Sequence, residues 1–355
     1  MSYGGRVIDC HVHLRNVSSA GRMAELAAVA GMDRFSVVCT LMHDSVNANP
    51  AAFVCKARHP GKAYAFCGLD HSSRLSGGAV KTPALVEQLD RLVKLGADGI
   101  KMIEGKPTTR KLFPVLWHVN DPEEFWDPEK TPSWAKERGW GYGPDDVQKE
   151  AQYAEVARVL QRHPKLVVIF AHFYFLSADL PRAAEMLGRY ENVHLDLAPG
   201  IEMIYNMSKD PEASREFFVE HADRIVFGTD ISSGNTDAEA SARAGIVRRW
   251  LETDDEYRVP PEVDFLLGKP ADGVMRGMKL PKGVLDRIYR LNFERLAGKR
   301  PRKLDAGLAA EECRRIAAIA KAPEEARAAA EALEGSSAEK PRGASKKSGA
   351  RRPRH

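Results

Sequence analysis

Short apolar runs that alternate with amphipathic segments restrict the fold of this sequence more than any other feature. Strands buried on both faces of a parallel sheet have nearly continuous apolar sequences, and most gaps between the runs have the apolar spacing of a helix, as in Ala20–Ala30 and Pro83–Leu95. Eight alternations predict an α/β protein, a closed (β/α)8 TIM barrel. The eight runs are Val7–His13, Phe35–Leu41, Ala63–Leu69, Gly99–Ile103, Pro114–Val119, Val167–Phe173, Val193–Leu197 and Ile225–Gly228.

Two connections depart from this regular pattern. Only Glu104–Phe113, with Pro107 inside it, separates the fourth and fifth runs, whereas a parallel crossover normally takes a dozen residues or more. Either this helix is reduced to a turn, or the number of strands is wrong here. The long segment Asn120–Val147 contains three tryptophans, so we expect an ordered lid rather than a disordered loop.

Composition and charge together divide the chain into three parts. We expect a barrel over residues 1–298, an Ala/Glu-rich, weakly helical extension over 299–334 that is interrupted at Pro323, and a disordered basic tail over 335–355. Residues 336–355 have a net charge of +6 and the rest of the 355-residue chain has −2, which together make the overall +4. The near-neutral barrel indicates no nucleic-acid surface, so the tail is expected to make only non-specific contacts with nucleic acid.

Composition also indicates where such a protein works. The longest apolar run, Leu166–Leu176, has eleven residues, and a bilayer span needs about 20. The start of the chain has no apolar signal core. The five cysteines never form a Cys-x-x-Cys pair, which favours a reducing compartment. We expect a cytoplasmic protein with a small-molecule substrate and no membrane partner, and a homo-oligomer is left open.

Polar residues with metal-ligand chemistry occupy the first apolar run. It has the sequence Val-Ile-Asp-Cys-His-Val-His, and strand alternation predicts that Asp9, His11 and His13 share one face. Two imidazoles spaced in this way at a strand end can bind one divalent metal ion. A His-x-His pair alone is only moderately specific, because histidines also occur hydrogen-bonded in protein cores.

Similar residues end three other apolar runs: His118, His172 and Asp230. In a (β/α)8 barrel the carboxyl ends of the strands point into one mouth. Burying an aspartate and several imidazoles among apolar strands is costly unless a cation or hydrogen bonds compensate. Four such strand ends together therefore favour a metal site over four separate core residues.

These motifs resemble those of the amidohydrolase superfamily, in particular the amidohydrolase-2 branch that includes amino-carboxymuconate-semialdehyde decarboxylase. The resemblance covers residues 7–296. Its matching segments are Asp9–His13, Gly99–Met102, Val115–His118, Phe170–His172, Asn192–Asp196, Phe227–Asp230 and Ile288–Leu296.

The resemblance implies a role for each of these strand ends. His11, His13, His118 and Asp230 would hold one divalent metal ion, expected to be zinc, and His172 would face the activated water or the substrate. A second metal stays open, since binuclear members carry a bridging group from the fourth strand. Lys101 is the candidate for that group and Glu104 the alternative, although we favour an uncarboxylated Lys101 near the site. The catalytic residues are then expected to be His172, Asp230 and Lys101.

Other polar residues are weaker candidates. Lys106 and Arg110 follow the fourth run, where they would meet an anionic substrate group or simply face solvent. His194 ends the seventh run beside Asp196, and Glu202 follows in a loop at the mouth.

The resemblance leaves the reaction open. The first hypothesis is a metal-dependent hydrolase that uses activated water on a C–N or C–O bond of a small, anionic substrate. The alternative on the same scaffold is non-oxidative decarboxylation of an unsaturated or aromatic acid. A third hypothesis is a non-catalytic binding protein whose tail contacts nucleic acid or an acidic surface, and the complete set of ligand-type side chains argues against it.

Overall fold

Strands form where the apolar runs occur. The computed structural model describes residues 3–42, 46–102, 119–200, 202–260 and 273–338. The strands of these ranges are β1 (Ile8–His13), β2 (Arg34–Val38), β3 (Leu41–Met42), β4 (Val46–Asn47), β5 (Ala63–Cys67), β6 (Gly99–Ile100), β7 (Val168–Phe170), β8 (Val193–Asp196), β9 (Ile225–Val226), β10 (Ile231–Ser232), β11 (Glu256–Tyr257) and β12 (Met275–Arg276). β8 is buried at every residue and β1 at all but its last, as expected for strands covered on both faces.

Helices connect and cover these strands. The α-helices are α1 (Ala20–Val29), α2 (Asn49–Arg58), α3 (Ser72–Leu75), α4 (Leu85–Leu95), α5 (Ser133–Glu137), α6 (Lys149–Arg162), α7 (Leu180–Arg189), α8 (Met203–Met207), α9 (Pro211–Glu220), α10 (Asp237–Glu252), α11 (Lys282–Asp286), α12 (Asn292–Ala297), α13 (Ala306–Ala317) and α14 (Glu324–Ala338). Within the described ranges, none of them has the length and apolar character that crossing a bilayer requires.

The longest helix, α10, shows how local sequence sets these boundaries. It begins at a capping box in which the Thr236 hydroxyl accepts from the Glu239 amide and the Glu239 carboxylate accepts from the Thr236 amide. Its buried residues include Ala240, Ala244 and Val247, a spacing of three or four residues that places one apolar stripe against the strands.

Of the described strands, eight belong to two parallel sheets that continue into one another, and the other four form the antiparallel pairs β3-β4 and β11-β12. One sheet has the order β10-β1-β2-β5-β6 and the other β7-β8-β9. A hydrogen bond of 2.9 Å from the Cys10 amide to the Phe227 carbonyl joins β1 to the end of β9. The described part of the chain therefore has the neighbour order of a barrel wall that runs from β6 through β1 to β7.

Both sheets share one interior. Ile8 of β1, Tyr64 of β5 and Val226 of β9 pack together with Phe293 of α12 in one apolar cluster, against which Ile169 of β7 also packs. A larger cluster on the opposite faces of the strands contacts the surrounding helices. The short helix α12 thus fills one end of the space that the strands enclose.

The structure confirms the α/β class and the parallel strands, and it corrects several strand ends. The run Phe35–Leu41 is a parallel strand only as far as Val38, and Leu41 belongs to the antiparallel pair β3-β4. The run Val167–Phe173 is a strand only as far as Phe170, because the backbone turns left-handed from His172. The predicted strand Pro114–Val119 lies outside the described residues except for Val119, as does the short connection before it. Closure of the barrel needs that strand and stays a prediction.

The predicted lid, Asn120–Val147, contains short helical segments around a small core of its own. Phe125, Ala135 and Tyr142 are buried together, and the Trp126 and Tyr142 rings stack with centroids 3.6 Å apart. The Tyr142 hydroxyl donates to Asp121 at 2.8 Å. This packing agrees with an ordered segment, and its role as a lid stays a prediction.

A helical hairpin of α13 and α14 follows the barrel segment and packs against α2. It is broken near Pro323 as expected, but α14 continues to Ala338, past the predicted start of the tail at residue 335. Arg315 of α13 forms ion pairs of 2.7 Å with both Asp70 and Glu312. The division into barrel, extension and tail stays a prediction, and residues 339–355 lie outside the described residues.

The Arg315 pairs should anchor this hairpin. Because the Asp70 side chain is only 1% exposed, Arg315→Met would leave a buried carboxylate without its cation. We expect a loss of about 3–5 kcal/mol in the free energy of unfolding, as for other broken buried pairs. Arg314→Met is the matched control, since Arg314 pairs with Glu334 at the surface and should cost less than about 1 kcal/mol. Chemical denaturation measures both, and equal losses would contradict the anchoring role.

Candidate metal centre

Side chains from the carboxyl ends of several strands meet at one edge of the sheets. These side chains come from β1 and β8, from the residues that follow β6 and β7, and from the segment between β9 and β10. They are His11, His13, Lys101, His172, Asp196 and Asp230. This edge is where enzymes with parallel α/β barrels place their chemistry.

Three of these side chains converge closely enough to share one ion. The His11 and His13 Nε2 atoms are 3.2 Å apart. The Asp230 Oδ1 atom lies 3.1 Å from His13 Nε2 and 3.7 Å from His11 Nε2. Among the described residues, these three form the group of side chains that could hold a metal ion.

Asp196 fixes the orientation of His11 from behind. The His11 Nδ1–H donates to Asp196 Oδ2 at 2.8 Å, so the Nε2 atom that faces His13 and Asp230 carries the lone pair. A carboxylate behind a histidine in this way is the usual support of a metal-binding imidazole, since it fixes the tautomer and makes the ligand more basic.

The protonation states suit metal binding. Burial, followed by the positive charge of Lys101, holds the pKa of His11 well below its ordinary value, so the ring is neutral at physiological pH. Burial alone would raise the pKa of Asp230, but the hydrogen bond with His13 and the nearby imidazoles outweigh it and hold this pKa well below normal. The cluster therefore offers the neutral imidazole of His11 and an ionised carboxylate, with the ring of His13 beside them.

His172 reaches the same edge on an unusual backbone turn. Residues 172–175 all have φ between 53° and 57°, the left-handed region that costs about 1–2 kcal/mol per residue. The His172 amide donates to Asp196 Oδ1 at 2.8 Å, and Tyr153 donates its hydroxyl to the Tyr174 carbonyl at 3.0 Å. Such strain is typical of functional sites, and here it places the His172 ring 5.3 Å from the ring of His11.

A second hydrogen bond selects the tautomer of His172. Its Nδ1 lies 3.0 Å from the Ala198 carbonyl oxygen, which can only accept, so Nδ1 carries the proton. In the neutral ring the lone pair is then on Nε2, the atom that can accept a proton or a hydrogen bond.

Asp9 is predicted to share a face of β1 with His11 and His13, but it is not one of the three side chains that could hold a metal ion. The pairing of β1 with β2 changes register between Asp9 and Val12. The Asp9 carboxylate instead accepts from the Thr229 hydroxyl at 2.5 Å and from the His11 amide at 2.9 Å. Burial raises the pKa of Asp9 to about 7, although these hydrogen bonds oppose the shift.

Lys101 is close to the cluster, with its Nζ atom 3.5 Å from His11 Nε2. The expected positions of four other residues stay predictions. His118, Glu104, Lys106 and Arg110 lie outside the described residues.

His194 is buried away from the cluster, although it lies on the same strand as Asp196. Its ring contacts the Asn192 carbonyl at 3.2 Å and Arg295 at 3.4 Å. Burial, followed by the charges of Arg224 and Arg295, lowers the pKa of His194 to about 4. The described structure therefore gives this residue a buried position at a distance from the metal-ligand atoms.

Sequence reasoning missed the importance of Asp196 and Thr229. Both lie next to apolar runs at the carboxyl edge, and this position was the available signal. Period-two alternation does not reveal the role of Asp196, since it cannot tell a carboxylate behind an imidazole from a capping aspartate.

Two histidines and an aspartate at the carboxyl ends of parallel strands are typical of metal-dependent α/β enzymes. The family model described as Amidohydrolase matches residues 8–298, which include every residue of this cluster. The chain therefore belongs to the amidohydrolase superfamily, in its amidohydrolase-2 branch, and is an enzyme of this metal-dependent superfamily. A search of curated proteins finds no significant match, and the narrower likeness to amino-carboxymuconate-semialdehyde decarboxylase stays a prediction.

The donor atoms fit the metal that the family implies. In a tetrahedral zinc site with bonds of about 2.0–2.1 Å, neighbouring ligand atoms lie about 3.3–3.4 Å apart. The three distances found here, 3.1, 3.2 and 3.7 Å, are centred on that value. Asp230 Oδ1 and His11 Nε2 lie 3.7 Å apart, and a lone pair on each is available to a shared cation.

The hydrogen bond from His11 to Asp196 should strengthen metal binding. In Asp196→Asn the acceptor loses its charge, so the imidazole is a weaker donor to the metal and its tautomer is less firmly fixed. We expect about a 10- to 100-fold loss of metal affinity. Competition with a chromophoric chelator measures this affinity. Unchanged affinity in a folded Asp196→Asn protein would contradict the role assigned to Asp196.

Glu202 should make the stability of the protein depend on pH. Among the described residues, neither of its buried carboxyl oxygens has a hydrogen-bond partner, and burial raises its pKa from 4.5 to about 7. The native state therefore binds the proton more tightly than the unfolded state, so this group loses stability as the pH rises from 4.5 to about 7.

Glu202→Gln removes this dependence. We expect the variant to gain up to about 3 kcal/mol relative to the wild type at pH 8, and to show little gain at pH 4.5. Denaturant unfolding at both pH values measures the difference. Glu220→Gln, at an exposed position of α9, is the control. A gain that is independent of pH would refute the buried-carboxyl explanation.

Proposed function

We propose that this protein is a metal-dependent hydrolase that uses activated water on a C–N or C–O bond of a small substrate. The observation that carries the proposal is the convergence of His11 Nε2, His13 Nε2 and Asp230 Oδ1, together with the Asp196 hydrogen bond that turns the His11 lone pair toward the other two. His118 is proposed as a further ligand, on the resemblance alone. A single ion is proposed, because the described side chains supply one set of donors.

A divalent ion such as zinc supplies one kind of chemistry at such a site, since it lowers the pKa of a water molecule from about 15.7 toward about 7. The protein must then accept and deliver a proton. Asp230 is suited to accept it, because its carboxylate is ionised at neutral pH and lies at the cluster. His172 presents Nε2 to the same edge, since its Nδ1–H is bound to Ala198.

Lys101 supports an anionic group on the substrate. Its ammonium group lies 3.5 Å from His11 Nε2, and a positive charge at the edge of the proposed ion site attracts an anion. A substrate carboxylate or a negative charge that develops during the reaction would supply that anion. We propose that Lys101 binds and stabilises this negative charge.

Metal content tests the site before any substrate is known. His11→Ala removes one ligand, and we expect the purified variant to have lost stoichiometric metal in elemental analysis while the wild type retains about one ion per chain. His163→Ala, at an exposed position after α6, should keep the wild-type content. Full metal content in His11→Ala would refute the proposed centre.

A substrate panel then tests the reaction. Amides, esters, lactones and cyclic imides with and without a carboxylate would be incubated with the metal-loaded protein, beside unsaturated and aromatic acids. Hydrolysis that is lost in Asp230→Asn supports the proposal. Release of CO₂ from the acids without hydrolysis would overturn it in favour of a decarboxylase.

A further inference from the structure

The position of the Asp230 carboxylate depends on an unfavourable backbone conformation. Asp230 has a φ of 58°, in the left-handed region that few residues other than glycine adopt. The Asp230 amide donates to the His11 carbonyl at 2.9 Å. This hydrogen bond fixes the position of Asp230 along β1. The direction of its side chain also depends on how the preceding peptide, that of Thr229, is held.

Thr229 is held from one side by β1. Its hydroxyl and its amide donate to the two oxygens of Asp9 at 2.5 and 3.2 Å. The same carboxylate accepts from the His11 amide. Asp9 therefore ties the backbone that carries the first histidine ligand to the residue before the aspartate ligand.

Thr229 is held from the other side by a buried arginine. Arg243 lies on α10 and is fully buried, and its Nη1 donates to the Thr229 carbonyl at 2.8 Å. A buried guanidinium is costly to desolvate, and here it is directed at the peptide that joins Thr229 to Asp230. That peptide is thus fixed at the amide by β1 and at the carbonyl by α10.

We propose that Arg243 is a positioning residue of the metal centre. By holding the Thr229 carbonyl, it keeps Asp230 in the left-handed conformation that directs the carboxylate toward His11 and His13. The inference rests on the proposed function and goes beyond it, because it assigns control of metal affinity and ligand geometry to a residue of a surrounding helix that does not contact the metal.

The same helix offers a matched control. Arg248 lies five residues further along α10 and pairs with Glu252 at 2.9 Å, and it also donates to the Tyr3 carbonyl at 3.3 Å. It is part of the same helix and of the fold, but it has no contact with Thr229 or Asp230. If Arg243 contributes only through the stability of α10, metal affinity should fall in proportion to the loss of stability for either arginine, the buried Arg243 or the partly exposed Arg248.

The experiment compares Arg243→Met, Arg243→Lys and Arg248→Met with the wild type. Metal affinity is measured by chelator competition, ligand geometry by the visible spectrum of the cobalt(II)-loaded protein, and stability by unfolding of the metal-free protein. We expect Arg243→Met to lose about 10- to 100-fold in affinity and to change the cobalt spectrum. Arg248→Met should keep both the affinity and the spectrum, whatever it costs in stability.

Arg243→Lys should fall between Arg243→Met and the wild type. Lysine keeps the charge and can donate one hydrogen bond, but it lacks the planar guanidinium. If Arg243→Met fails to fold, Arg243→Lys decides: reduced affinity with an altered spectrum supports the proposal, and wild-type values for both overturn it.

Two further outcomes overturn the proposal. One is a folded Arg243→Met protein with wild-type affinity and spectrum. The other is an equal loss of affinity in Arg248→Met, which would show that general weakening of α10 is responsible. A wild-type protein that binds no metal would refute the proposed function itself. A wild-type protein that binds metal, beside an Arg243→Met protein that binds it equally well, would refute only the role of Arg243.

Discussion

One carboxylate organises the carboxyl edge of this enzyme. Asp196 accepts from the His11 ring with one oxygen and from the His172 amide with the other. It thereby determines which nitrogen of His11 faces the ligand cluster and where the left-handed turn at His172 begins. Burial raises the pKa of Asp196, because it disfavours the charged carboxylate. The hydrogen bonds stabilise that charged form and oppose the effect of burial.

The strands of the two sheets hold the backbone that presents most of these side chains. Asp196 is the last residue of β8, and His11 lies in β1. The segment after β9 is joined to β1 by backbone hydrogen bonds. Hydrogen bonds of the sheets therefore hold the backbone of His11, His13 and Asp196. His172 and Asp230 have left-handed backbone conformations, which need further support from side chains.

Much of this could be predicted from the sequence, because apolar runs and ligand-type residues at their ends are local features. The strands that carry His11 and Asp196, and the helices α1 and α4, lie within one or two residues of their predicted bounds. The early end of β7 could not be predicted, because Ala-His-Phe-Tyr-Phe continues an apolar run and only the contacts of Tyr174 and His172 reveal the turn. The contacts between Asp9 and Thr229 and between Arg243 and Thr229 join residues far apart in the chain, which period-two or helical spacing does not encode.

The helical hairpin at the end of the described chain has a consequence for biosynthesis. Glu325 accepts from the Val17 amide, 308 residues away, and Arg315 pairs with Asp70. The first βα units therefore lack part of their covering until residues 315–325 have left the ribosome. Such long-range closure slows folding, and it leaves apolar surface of the first βα units exposed to aggregation during synthesis.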